Sequence, residues 1–201
     1  MTLHHARCML CSIAFGASAL AAGNTPGAVT AIIVPEGHYS RPALQEMGRE
    51  AGRLLKDSGV TLRWQLATSA QDIQGLLIVV ELHGNCDMDE AIPELKPGPL
   101  GSSYKVRGSL LPFGDLACDR IRGAVQSAHV PESRLPANLL LGRAMGRVLA
   151  HELYHIIADT SKHGSEGVAQ KALSSRELAS GQIDLEPADA ELVRSALQRL
   201  R

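Results

Sequence analysis

The sequence predicts a layered α/β (α+β) domain, with the sheet early in the chain and the helices late. Three observations carry this reading. Apolar, β-branched runs between residues 28 and 82 flank one amphipathic helical stretch. A segment rich in Pro and Gly then leads into two short strand-like runs around Arg107-Gly108. The last third holds a long helical stretch that is apolar on two sides, followed by a shorter amphipathic one.

Each element follows from its residues. Residues 28–34 read as a buried strand ended by Pro35-Glu36-Gly37. Residues 41–57 fit a helix, with Pro42 in the first turn and Leu44, Met47, Ala51, Leu54 and Leu55 on one face. Ser58-Gly59 closes it, and residues 60–65 give a second strand. Residues 76–82 are continuously apolar and predict a central strand. After the Pro- and Gly-rich residues 93–101, residues 102–106 and 109–113 read as short edge strands or a hairpin. Asp115 is expected to cap a helix carrying Ala117, Ile121, Ala124 and Val125. The long helix spans residues 136–158. One stripe is Leu141, Met145, Leu149, Leu153 and Ile156; the other, Ala144 and Val148, continues into His151 and His155. Arg143 and Arg147 are left for a third, wetter face. Residues 187–200 form the last amphipathic helix.

Composition limits the function classes. The 201 residues suit one ordinary domain, and 45% apolar content supports a core. A net charge of -1 offers no basic face for a nucleic acid, and 3% aromatics leave few rings for base stacking. Arg7 and two histidines precede an apolar run, residues 9–20, and Ala19-Leu20-Ala21 has the small-x-small pattern of a cleavage site. Residues 1–22 therefore read as an export signal and 23–201 as a single secreted or periplasmic domain. The run is too short to span a bilayer, and no later stretch is a membrane helix. Cys8 and Cys11 would leave with the signal. Cys86 and Cys118 remain, and in an oxidising compartment they are expected to pair; the alternative is two buried thiols.

The chemistry concentrates in His151-Glu152-Leu153-Tyr154-His155. Histidines at i and i+4 project from one helix face and can share a metal ion. A glutamate beside the first can reach water at that metal. By chance this pattern arises in a chain of this size on the order of one time in a hundred. Tyr154 points away from the histidine face and reads as packing. His38, His83 and His129 sit near element ends and read as surface or capping residues, and Trp64 and Tyr104 as core or rim.

On this motif the chain resembles the zincin zinc metallopeptidases, and within them the metzincin-like branch. The resemblance implies a twisted mixed sheet with an antiparallel edge strand, packed on a buried active-site helix. It also implies an upper lobe to about residue 158 and a small helical C-terminal lobe, 159–201. It assigns Zn2+ to His151 and His155, and the general base acting on the metal's water to Glu152. The usual continuation has glycine where this chain has Ala158 and histidine where it has Ser161. His163 is the nearest histidine and is taken as the third ligand, with Asp159, Glu166 and Glu177 as competitors. Glu177 also completes a capping box with Ser174. Gly167-Val168-Ala169 resembles the family's Gly-x-Met turn, with alanine in the methionine place. The implied function is a secreted zinc-dependent hydrolase, most simply a peptidase binding peptide or protein substrate along an edge strand at residues 102–113. An exported zinc-binding module without turnover and a non-peptide zinc hydrolase are the alternatives.

Overall fold

β1 (Ala28–Pro35) is buried on both faces, with Val29, Thr30 and Ala31 fully enclosed. Such a strand needs neighbours on both edges and layers on both sides. Here the computed structural model describes residues 27–128, 135–179 and 181–200. The export signal assigned to residues 1–22 and His129 lie outside the described residues. Chain order continues with α1 (Arg41–Leu55), a 3-10 turn (Lys56–Ser58), β2 (Thr61–Leu66) and β3 (Leu76–His83). The hairpin β4 (Gly101–Val106) and β5 (Ser109–Ala117) follows, then α2 (Cys118–Ser127), α3 (Ala137–Ala158), α4 (Ser175–Ala179) and α5 (Pro187–Arg199).

The five strands form one mixed sheet in the order β2-β1-β3-β5-β4. β1 runs parallel to β2 and β3, and β3 parallel to β5; only β4 is antiparallel, on the outer side of β5. β3 is central, as its apolar run predicts. The fold is therefore α+β with an antiparallel edge strand, in agreement with the sequence. Among the described residues no helix is long and apolar enough to cross a membrane.

Two helices, α1 and α3, lie side by side over the sheet face that carries Ile78, Val80 and Leu82. Their backbones come close because Gly146 faces α1: a Cβ there would sit 2.7 Å from the Met47 carbonyl oxygen. The same contact overturns the expectation for Arg147. It is not on a wet face but only 2% exposed. α1 covers it, and Glu50, also 2% exposed, accepts a hydrogen bond from its Nε at 3.0 Å. The cap assigned to Asp115 is a second correction. β5 is held by β3 as far as Ala117 and by β4 as far as Leu116, so strand pairing claims Asp115 and α2 starts only at Cys118.

Cys86 and Cys118 form a disulfide, Cα–Cα 5.0 Å, across a sequence separation of 32 residues. It ties the loop after β3 to the start of α2. Closing a loop of this size stabilises by about 3–4 kcal/mol. Replacing both cysteines by serine should lower the unfolding free energy by that amount in denaturant titrations, and the native protein should show no reactive thiol at either position.

Glu50 sets an acid limit on the fold. Burial alone would push its carboxyl up, but hydrogen bonds from Arg53 and Arg147 outweigh burial and hold it below the ordinary 4.5. A depressed carboxylate stabilises the native state above its unfolded pKa, and that contribution is lost as pH falls through the lower folded value. Melting temperature should therefore drop once pH passes below about 4.5. Glu50→Gln should destabilise by about 3–5 kcal/mol at neutral pH, because it strands a buried arginine. It should also flatten the acid side of the profile; an unchanged acid limb would mean that other carboxylates set it.

Candidate metal centre

The last two turns of α3 carry His151 and His155 on the face beside the hairpin. Their Nε2 atoms are 3.0 Å apart. Each ring is oriented by its other nitrogen: His151 Nδ1 lies 2.8 Å from the Val168 carbonyl oxygen, and His155 Nδ1 lies 2.7 Å from that of Thr160. A carbonyl oxygen only accepts, so each Nδ1 carries the proton and donates it. Both Nε2 atoms are then left with lone pairs. Two lone pairs at that distance cannot satisfy each other, and they converge on a place for a cation. Burial pushes both imidazoles below the usual 6.5, and with the neighbouring His151 it brings His155 to about 4. They are thus neutral at physiological pH, as metal ligands must be.

His163 completes the group. Its ring centroid lies 5.3 Å from that of His151 and 4.8 Å from that of His155. One ligand atom from each of the three lies within 4.8 Å of the others, so they can hold a metal ion. The chain returns because α3 ends in a tight turn. Asp159 adopts the left-handed conformation (φ 47°). The amides of Asp159 and Thr160 bond back to the carbonyls of Ile156 and His155, the pairing that closes a helix around a left-handed residue. The aspartate tolerates this because its Oδ1 accepts the Leu110 amide at 2.8 Å.

None of the three competitors for the third corner joins the two helical histidines. Asp159 holds the hairpin. Glu177 accepts from the Ser174 amide and hydroxyl at 2.8 and 2.6 Å, which is the predicted capping box. Glu166 is exposed beside a separate hollow. Among the described residues one other group has metal-like spacing, Glu36, Glu81 and His83. It is a surface cluster in which His83 Nδ1 is paired to Glu36 at 2.8 Å.

Glu152 is buried against β4, where its Oε2 accepts the Ser103 hydroxyl. Gly101 makes this possible: a Cβ there would lie 2.9 Å from Glu152 Oε1. Burial pushes the carboxyl up to about 7, against the pull of the Ser103 hydrogen bond. Such a group can hold or release a proton near neutral pH. Histidines and glutamate open into one cleft of about 470 Å³, walled by β4 on one side and by residues 170–173 on the other. Ser103 and the two carbonyls were beyond sequence reasoning. A serine on an edge strand has no distinguishing signal, and a carbonyl belongs to every residue.

Three nitrogen donors, two of them on rings oriented by backbone carbonyls, fit zinc and other borderline transition metals. No known protein-family description matches this chain, and no curated protein is significantly similar to it.

His163→Ala should weaken zinc binding at least about ten-fold, whereas Glu166→Ala and Glu177→Ala should leave it unchanged. Competition against a chromogenic zinc chelator measures this. Loss of affinity on removing either glutamate would reassign the third corner.

Proposed function

We propose that this chain is an exported zinc-dependent hydrolase of the zincin kind, acting on peptide bonds. One observation carries the proposal: a buried carboxylate, Glu152, stands beside three converging imidazoles in an open cleft bordered by an edge strand. A structural zinc site uses four protein ligands, whereas three leave a corner for reaction. Bound zinc would supply Lewis acidity, acidifying water and polarising a scissile carbonyl.

The chain's own residues do the rest. His151, His155 and His163 hold the ion, with the first two rings fixed by Val168 and Thr160. Glu152 accepts the proton of the attacking water and delivers it to the leaving amine. Ser103 holds the carboxylate in place on the side facing the cleft. Among the described residues β4 pairs only with β5, which leaves its outer edge to align an extended peptide by main-chain hydrogen bonds. Export is supported by the disulfide, which persists in oxidising compartments.

Glu152→Ala should abolish cleavage, lowering turnover by at least about 10²-fold, while zinc affinity stays near wild type. Mass spectrometry of a peptide library incubated with each zinc-loaded protein reads the first, and chelator competition reads the second. A wild-type protein that binds zinc but cuts no peptide would sink the peptidase reading. Loss of zinc on Glu152→Ala would show that the residue is a ligand.

A further inference from the structure

His163 is the ligand that its local sequence supports least. It sits on an exposed segment past the end of α3, yet the residues on both sides of it are tied down. The Tyr154 hydroxyl lies 3.1 Å from Asp189 Oδ1 and 3.3 Å from the carbonyl oxygen of Lys162, the residue before His163. On the other side, the Gly164 amide donates to the Ala169 carbonyl at 2.9 Å. The Gly164 Cα lies against the Asp189 carboxylate, where any side chain would collide with Oδ2. Asp189 is 7% exposed and sits in the first turn of α5, where a helix favours negative charge.

Tyr154 is 1% exposed and does not line the cleft; its ring lies 5.1 Å, centroid to centroid, from that of His155. Packing alone does not require its hydroxyl. A phenylalanine would fill the same volume without a polar group to desolvate. The hydroxyl is instead the point where α3, α5 and the 162–164 segment meet.

We propose that Tyr154 and Asp189 are positioning residues for the third metal ligand. Their hydrogen bond, and the contact of Asp189 with Gly164, hold residues 162–164 so that His163 meets His151 and His155. This rests on the reading of those histidines as a metal site. Neither residue touches the ion. They act by removing loop conformations that metal binding would otherwise have to remove, and that ordering cost subtracts from affinity.

The test is a thermodynamic cycle on the full chain, with zinc alone as the probe. Zinc affinity is measured by chelator competition for wild type, Tyr154→Phe, His163→Ala and the double variant, and circular dichroism checks that each is folded. Tyr154→Phe should weaken binding about ten-fold or more when His163 is present and by less than about two-fold when it is absent. Asp189→Asn keeps an oxygen acceptor and should retain most of the affinity, whereas Asp189→Ala should match Tyr154→Phe. Equal losses in both backgrounds would mean that Tyr154 is merely structural, and no loss in either would equally overturn the proposal. If His163→Ala binds zinc like wild type, the three-histidine reading itself fails, independently of the anchor.

Discussion

The rest of the structure depends on how closely α3 can lie against α1. Gly146 lets the backbones approach, and the approach encloses a charge, Arg147, that must then be answered. Glu50 answers it, and the same carboxylate accepts from Arg53 Nε at 2.9 Å. The three groups do more than neutralise one another. Arg147 also donates to the carbonyls of Glu177 and Gly181, and Arg53 donates to the Ile183 carbonyl at 2.7 Å and to Asp184 Oδ1 at 2.7 Å. The helix pair thus captures the chain that follows the candidate site and folds it back beside α3.

That captured chain orients His151, the first histidine of the group. The Asp184 carbonyl accepts the Val168 amide at 2.9 Å, and the Val168 carbonyl faces His151 Nδ1. Three hydrogen bonds, through Asp184 and Val168, therefore connect a guanidinium on α1 to the His151 imidazole. The second histidine is handled locally, since the turn that ends α3 presents Thr160 to His155. Helical spacing sets where the two rings stand, and irregular backbone sets which nitrogen each turns inward.

Much of this was legible in the sequence, for reasons that can be named. Strands and helices showed because apolar periodicity reports burial directly, and α3 was placed within one residue at its start and correctly at its end. The His-Glu-His motif showed because helical spacing fixes relative direction without tertiary information. Arg147 was misread for the converse reason: the periodicity of α3 alone does not reveal that α1 carries a buried carboxylate at the right height. Asp115 was misread because capping preference is local, whereas β3 and β4 compete for the same backbone from a distance. Ser103 and the carbonyls of Val168 and Thr160 left no trace in residue type.

The turn that ends α3 decides which residues after the helix reach the two helical histidines. α3 runs to Ala158, and the left-handed position falls on Asp159. An aspartate there is tolerable only if its side chain finds a partner, and the hairpin supplies one at Leu110. After this turn Ser161 lines the cleft, where its hydroxyl accepts from Lys105 Nζ at 3.3 Å, and His163 joins the two helical histidines. The alanine at 169 is fully buried, and it is the carbonyl of its neighbour Val168 that faces His151. What this arrangement asks of the turn at 167–169 is a backbone oxygen, which alanine and methionine leave equally available.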